Sequence, residues 1–582
     1  MYPGTRSFHS SHWLRRVLAV SIVVLAVFLL RADTRFYGQS RTICSEGDPL
    51  PSISVEDASS GAEASSNLTG LRTSAHSGSA SFIGPFFARS AQEKSSKVTT
   101  LGSVKVDSGV EGFGFDDNAT ENGGVVAIPP DPHGAAGNSG IIAIGNFIIE
   151  ARNKGGHLVW RDALGDFFAP VSPLMPTTFD PKIIYDQYED RFVVVWLDLV
   201  FSSPRVAIST SNISRILVAV SKDGNPKTPT AADWHYHAIN AKTLIGTGER
   251  WADYPGLAID EEAIYITANM FSFAPPSRFG GVRLWIIGKG ASGGFYDGGA
   301  ASVAVHDPYA SAGIMATTQP AHVFGDGGAG FGIGTYLVSY DGLSDTVDNY
   351  VQIVRVDNPL TTPTFSQQFV NIGNIESFPR GVLLDAPQSG TARVIEVFDR
   401  RALNAVWRDN ALWMTADIRP NSGPDLNQTT AHWWNLNTTA PAVVTPNDQG
   451  NIGGEDIAPG AFTFYPAVAV NRDGFAAFGF SASAPTIFAG AYVTGRAAGD
   501  APGSVRSSEV VHEGVDYYVR AFSSSTTVSS RWGDYTGIAV DPTSNDFFWV
   551  FNEFADQRGT VLEIFPGEDG RWRTAWARYR AK

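Results

Sequence analysis

The side chains able to do chemistry in this chain sit in short motifs that mix aromatic, acidic and basic residues. Arg250-Trp251-Ala252-Asp253-Tyr254 and Arg531-Trp532-Gly533-Asp534-Tyr535 are two copies of one motif. Phe179-Asp180-Pro181-Lys182, Phe378-Pro379-Arg380 and Phe464-Tyr465-Pro466 are shorter relatives, and Pro129-Pro130-Asp131-Pro132-His133-Gly134 stands alone. An arginine, a carboxylate and a tyrosine gathered in one place bind sugar hydroxyls and acidic groups, the arginine bidentately. The candidate catalytic set for a glycoside hydrolase or polysaccharide lyase is therefore Asp131, Asp253 and Asp534 with Tyr254 and Tyr535. The candidate ligand-binding set is Asp131, His133, Asp180, Arg250, Asp253, Arg380, Tyr465, Arg531 and Asp534.

A packing role competes with both. In R-W-x-D-Y the arginine and aspartate can pair and hold strand-entry backbone groups while the aromatics wedge between neighbouring units. A recurring motif is what a repeated packing need produces, whereas catalytic residues are normally unique to one repeat. That asymmetry favours a binding protein without catalysis over an enzyme. Asp131 and His133 occur once and are the better functional candidates, set against a rigid Pro-rich turn with an Asx cap. Carboxylates ringing a channel could also hold Ca²⁺, which takes about six to eight oxygens and needs neither Cys nor His. No EF-hand or nonapeptide calcium repeat is present, so no metal or other cofactor is assigned.

The elements that position these residues are legible in composition and repetition. The chain has 582 residues, with 43 Lys and Arg against 58 Asp and Glu, a net charge of −15 and no dense basic run beyond the N-terminus. A nucleic-acid partner has no electrostatic footprint here. The single cysteine, Cys44, excludes an intrachain disulfide framework and a Cys-rich zinc site. Charged residues at 17%, with 60 Gly and 33 Pro, disfavour long surface helices, and 43% hydrophobic with 12% aromatic residues supply a large core. The composition reads as turn-rich and β-dominated.

Residues 1–32 read as a signal peptide or signal-anchor helix. Arg6, Arg15 and Arg16 precede an apolar run from Val17 to Leu30, interrupted only by Ser21. The run is long for a signal and short for a spanning helix, which needs about 17 residues or more unless Trp13 and Leu14 join it. Cleavage after Ala32 and anchoring by residues 13–30 are both expected forms, and either exports the bulk of the chain to a periplasmic or extracellular space. Residues 33–124, rich in Ser, Gly and Thr, read as a low-complexity stalk. Sequons at Asn67, Asn118, Asn212, Asn427 and Asn437 would be acceptors in a eukaryotic secretory pathway.

From 125 to 582 one unit recurs: a polar or Pro-containing loop, an apolar strand, an acidic or Asx turn, and a second apolar strand. Arg250–Asp260 laid on Arg531–Asp541 gives seven identities in eleven positions. The units begin before Ile141, Ile183, Gly256, Gly381, Ala467 and Thr536, with a weaker one at Tyr336–Ser339 and Tyr350–Val356. Self-similarity at this scale in an all-β chain predicts a single β-propeller of seven four-stranded blades, and Trp572–Tyr579 is a candidate closing strand. If each unit begins at an innermost strand, the motif residues converge on one rim around the axis, where ligand sites are usually found.

Ile128–Asn138, Phe179–Phe192, Ala219–Gly224, Phe464–Asn471 and Ser530–Pro542, in that order, resemble secreted bacterial propeller proteins loosely related to sialidase-type or BNR-repeat proteins. The resemblance implies a fold and export, with an extracellular glycan or protein as partner. Ser221-Lys222-Asp223-Gly224 and Ser339-Tyr340-Asp341-Gly342 keep the Ser and Asp of an Asp box but lose its spaced Gly and its Trp. A sialidase would also need three arginines on the substrate carboxylate, a tyrosine nucleophile and a glutamate base. Arg250, Arg380 and Arg531 could supply the first and Tyr254 or Tyr535 the second, but no glutamate falls at the mouth, since Glu553 follows a second strand.

Overall fold

The computed structural model describes residues 104–581 apart from 173–176, 301, 310–316, 326–332, 378–381, 522–527 and 560–566. Strands dominate because the chain alternates short β-branched and aromatic runs with Gly, Pro and Asx turns. They form seven small sheets, five of four strands and two of five. Each is mainly an antiparallel meander, and one strand of each sheet touches its counterpart in the next in a closed cycle. Gly537–Val540 lies on His133–Ala136, which lies on Thr177–Asp186, then Gly248–Ile259, Thr318–Pro320, Ala402–Arg408, Phe462–Val470 and back to Gly537–Val540. This is a seven-bladed β-propeller, numbered here from the blade that begins at His133.

The core is a ring of interfaces between blades. One hydrophobic cluster joins Val193, Val195 and Leu197 of blade two to Ile264, Ile266 and Trp285 of blade three. Another joins Phe478 and Phe480 of blade six to Val406, Trp413 and Trp433 of blade five. Both faces of a blade are therefore covered, so strands such as Arg191–Val200 read as nearly continuous apolar runs. Little surface is left per residue, which accounts for the low charge.

Closure uses both chain ends. Blade seven contains Gly537–Val540, Phe547–Asp556 and Arg571–Ala581, and its outermost strand is Val104–Gly114. The expected C-terminal strand is present, but Val104–Gly114 closes the ring by pairing with it. The propeller therefore includes Val104–Gly114 and the helix Phe115–Glu121, upstream of the expected boundary at 125; the segment's Gly and Ser disguise an edge strand. Residues 1–103, including the expected signal or anchor and most of the expected stalk, lie outside the described residues. Among the described residues no helix is long and apolar enough to cross a membrane. Of the sequons, Asn118 and Asn212 are buried.

Three further expectations are corrected. Blades three and five have five strands, the fifth in blade five being His322–Phe324, parallel to Ala402–Arg408. Blade one begins at His133–Ala136, so the run from Ile141 supplies its second and third strands. Phe378-Pro379-Arg380 lies outside the described residues; the expected strand after it is not formed at 382–384, since residues 382–400 are irregular, and the next strand of blade five is Ala402–Arg408.

Gly134 of the Pro-Pro-Asp motif marks where blades one and seven meet. A Cβ there would fall within the Phe551 ring, and a Cβ on Gly537 would lie 2.6 Å from the Gly134 nitrogen. Phe551 is itself backed by Trp576, with ring centroids 5.9 Å apart. Gly134→Ala is expected to destabilise the fold by about 1–3 kcal/mol through overpacking. Urea denaturation checks this, and an unchanged midpoint would refute it.

Candidate functional site

Three of the recurring motifs are bulges in inner strands. In blade two, Phe179 pairs with Leu197 and Lys182 with Val195, so Asp180-Pro181 is one residue too many. The same slip occurs at Tyr254-Pro255 in blade three and Tyr465-Pro466 in blade six. The bulged residue takes a left-handed backbone: φ is 54° at Asp180, 50° at Tyr254 and 52° at Tyr465, with matching values at Asp131, Thr317 and Phe398. Such conformations are uncommon for residues other than glycine and need support from their surroundings.

That support crosses between blades. A bulge frees a backbone N–H from the ladder, and a side chain of the preceding blade accepts it. Asn146 accepts from Asp180 at 3.0 Å, Asp180 from Tyr254 at 3.1 Å, Asn269 from Thr317 at 2.7 Å and Asp417 from Tyr465 at 3.1 Å. Asn146 also donates to Asp131 at 2.6 Å. The physical need behind the repeat is thus a clamp that holds each inner strand to its neighbour.

The bulges bring carboxylates together at the axis. Oxygens of Asp131, Asp180 and Asp534, from blades one, two and seven, all lie within 4.8 Å of one another, and the three residues are 1%, 6% and 3% exposed. Lys182 is buried beside them, its ammonium 3.0 Å from the centroid of the Tyr535 ring. Burial pulls the Lys182 pKa down to about 7, with the charges of Asp180 and Asp131 acting against it. His133 is held well below its usual range by burial and then by Lys182; the Ile183 N–H points at its Nδ1 at 3.4 Å. Glu553, in the second strand of blade seven, is driven well above the carboxylate range by burial and then by Asp131.

Tyrosines close the channel beside this cluster. Tyr254 donates its hydroxyl across the axis to the Asp534 carbonyl at 2.9 Å, and Tyr535 donates to the Pro181 carbonyl at 2.8 Å. Their rings meet edge to face at 6.0 Å, and His133 packs edge-on to Tyr535 at 5.9 Å. Tyr465 donates to the Glu396 carbonyl at 3.1 Å. Residues 382–400 and 528–531 pair over this end through Ala386–Ile395 and Ile395–Ser530, and Gln388 ties them to Tyr518. These hydroxyls hold strands together, a geometry that does not present Tyr254 or Tyr535 as a nucleophile.

The remaining expected site residues separate. Arg531 pairs with Glu396 at 3.0 Å and Asp534 at 3.5 Å. Arg250 lies four residues before the Tyr254 bulge, about 13 Å along the strand, and donates to the Arg278 carbonyl at 2.8 Å within its own blade. The two R-W-x-D-Y copies therefore do not aim their arginines at one point. Asp253 stays in the ladder opposite Asn269, outside the aspartate trio. Arg380 lies outside the described residues. Of the partial Asp boxes, Ser221 accepts from the Phe192 N–H and donates to the Asp223 carbonyl, each at 2.7 Å, which braces a turn.

Lys182, Asn146 and Glu553 join the axial cluster although the motifs did not nominate them. Lys182 was visible as a lone cation directly after a bulge Asp-Pro and ahead of an apolar strand. Glu553 follows Asn552, the counterpart of Asn269 in the blade three copy, but strand position alone does not say which face it takes.

Two further buried histidines give a pH expectation. Burial lowers His322 to about 3 and His432 to about 4. Below the unfolded value of about 6.5 the denatured chain takes up protons that the native chain refuses, so stability falls as pH drops from about 6.5 towards 4. Replacing both with Gln is expected to flatten the dependence of unfolding free energy on pH by about 1.4 kcal/mol per pH unit for each histidine between pH 6.5 and 4.5. Urea titrations at the two pH values check this, and parallel curves for wild type and variant would refute it.

Open concavities lie elsewhere. A cleft of about 340 Å³ between blades five and six is lined by Asn435, Asn447, Asp448, Arg496, Asp500 and Trp413, among others. Arg496 pairs with Asp448 at 2.8 Å and stacks over Trp433 at 4.5 Å.

No family model and no curated protein matches the chain. Solved structures with a similar course include a Dyadobacter fermentans protein of unknown function, at 11% identity and a TM-score of 0.36, covering 69% of this chain and 94% of that one. A Bacteroides ovatus glycosyl hydrolase aligns at 11% identity and a TM-score of 0.25, covering 56% and 87%. A Trypanosoma rangeli sialidase in complex with sialic acid aligns at 8% and 0.33, covering 74% and 56%. The likeness to sialidases and glycoside hydrolases is distant and concerns the propeller fold.

Proposed function

We propose that the protein is an exported propeller that binds an extracellular ligand, a glycan or a protein, without catalysis of its own. One observation carries this reading. The aspartates and tyrosines that could do chemistry at the axis are buried, and the tyrosine hydroxyls hold strands together, whereas the cleft between blades five and six, lined by polar and apolar groups, opens to solvent. A hydrolase needs its acid and base facing a substrate. In the cleft, Asn435, Asn447, Asp448 and Asp500 offer the donors and acceptors that sugar hydroxyls or peptide groups use, around the fixed guanidinium of Arg496. Export rests on the basic and apolar N-terminal segment.

The alternative, a glycoside hydrolase or lyase, draws on the closeness of Asp131, Asp180 and Asp534 and on the raised Glu553. A glycan array with the full chain, together with turnover assays on the glycans bound, separates the two. Binding that Asn447→Ala with Asp448→Ala abolishes, without product release, supports the proposal. Turnover that Asp534→Asn abolishes would replace it with the alternative.

A further inference from the structure

We propose that the inner end of the cleft between blades five and six is an anion subsite, where Arg408 receives the acidic group, carboxylate or sulfate ester, of an acidic glycan. This subsite rests on the reading of the same cleft as the ligand site, and it sets the chemistry of that ligand. Strand register lays the cleft out along blade five. Val406 pairs with Trp413, Trp413 with Asn435 and Asn435 with Asp448. Paired residues share a face of the sheet, and so does a residue two positions along a strand. Arg408, Trp413, Asn435 and Asp448 therefore lie on one face, the one on which Val406 and Trp413 pack against Phe478 of blade six. All four line the cleft, with Arg408 on the inner side and Asp448 on the outermost strand. The strands of Arg408 and Asn435 are about 10 Å apart, with Trp413 on the strand between them.

Two groups in this row lack a partner. Arg408 is 9% exposed, its Nε is buried without a hydrogen-bond acceptor, and it forms no ion pair among the described residues. Its guanidinium lies over the Phe324 ring, 4.3 Å from the centroid, which fixes its plane and leaves the edge donors without an acceptor. Burial lowers its pKa; the charges of Asp409, exposed on the following turn, and then Tyr188 act against this, and Arg472 adds to it. The other cation lining the cleft is matched, Arg496 with Asp448 at 2.8 Å, and Asp500 is matched by Arg506 at 2.9 Å. A buried cation without an ion-pair partner is costly, and a ligand anion removes that cost.

Asn435 is the second group. It is 8% exposed, and its Oδ1 is buried without a donor. It calls for an O–H or N–H, which a bare anion does not bring. A ligand that satisfies both residues carries an acidic group and donors on one framework. A charged sugar holds the two in fixed relation on its ring, whereas a peptide must order a flexible acidic side chain to present them. The cleft, of about 340 Å³, is also of a size that takes small ligands.

The full chain is titrated calorimetrically with uronate-containing and sulfated oligosaccharides, each beside its carboxyl-reduced or desulfated form, and with an Asp- and Glu-rich peptide. At least one acidic glycan is expected to bind at least about tenfold more tightly than its neutral form, with a preference that shrinks in about 0.5 M NaCl. The arm that shows it tells carboxylate from sulfate. In Arg408→Gln the acidic and neutral forms should bind alike, and the melting temperature should hold or rise because an unpaired buried cation is gone. Asn435→Ala should weaken both forms by about fivefold and leave their ratio unchanged. Arg408→Lys keeps the charge but loses the planar fork, and should cut the preference by about threefold. The proposal is overturned by equal binding of acidic and neutral forms, by a preference that survives in Arg408→Gln and Arg408→Lys, or by Arg408-dependent binding of the acidic peptide with no glycan bound. Neutral glycans that bind, are lost in Asn447→Ala with Asp448→Ala, and ignore Arg408→Gln would overturn the anion subsite and leave the cleft as the ligand site.

Discussion

Excision of residues 1–114 is expected to abolish cooperative folding, giving a chain that aggregates or melts broadly while the full chain melts sharply. Val104–Gly114 pairs with Arg571–Ala581 along the whole edge of blade seven. Its loss would expose that edge as a row of unpaired backbone groups, a template for association. It would also uncover Trp572 and Trp576, against which Phe113 packs edge-on at 6.3 and 6.1 Å. The milder Phe113→Ala, at a fully buried site, should cost about 3–5 kcal/mol of unfolding free energy. Size-exclusion chromatography and thermal melts of the excised chain, with urea denaturation of Phe113→Ala, test the point. A monodisperse excised protein with an unchanged melting temperature would show that the ring closes without its N-terminal strand.

Arg400→Met should destabilise the protein by about 3–5 kcal/mol, whereas Glu376→Gln combined with Arg400→Met should cost far less. Glu376 and Arg400 are each 1% exposed and joined at 2.6 Å. Glu376 also accepts from the Tyr340 hydroxyl at 2.9 Å and the Arg419 N–H at 2.8 Å, so it joins blade four to blade five. Removing the arginine strands a charged carboxylate away from water. Neutralising the acid as well removes that penalty; the Gln carbonyl oxygen can still accept from the Arg419 N–H, and its amide N–H₂ can donate to the Tyr340 hydroxyl. A double-mutant cycle by urea denaturation measures the coupling. Single variants within about 1 kcal/mol of wild type would mean that water or a neighbouring group compensates.

The repeat was legible in the sequence because every inner strand meets the same physical problem. Phe179-Asp180-Pro181, Asp253-Tyr254-Pro255 and Phe464-Tyr465-Pro466 look alike because each makes a bulge whose freed N–H is clamped by the blade before it. In sequence the motif reads as a loop ahead of the strand, because Pro within a run argues against a strand, an inference that bulges escape. The axial site was half legible. The motifs point to Asp131, Asp180 and Asp534, which do converge, and by likeness to Asp534 and Arg531 they also point to Asp253 and Arg250, which do not. Pentapeptides alike at four of five positions diverged because Tyr254 sits in a bulge within a long strand, while Arg531–Tyr535 is irregular and Arg531 pairs with Glu396.

By itself the sequence determined an all-β chain of repeated apolar strands, with covered blade faces, low charge, no disulfides and a basic and apolar N-terminal segment. These are local properties: alternation, turn chemistry and composition act over a few residues and survive without knowledge of partners. Only the tertiary structure decided that Val104–Gly114 closes the ring, that Lys182 is buried beside the axial aspartates, and that Tyr254 and Tyr535 cross the axis to hold opposite blades. Those outcomes depend on closure, which brings residues hundreds of positions apart to within a few ångströms, and on single-residue slips of register that turn a side chain from one blade face to the other.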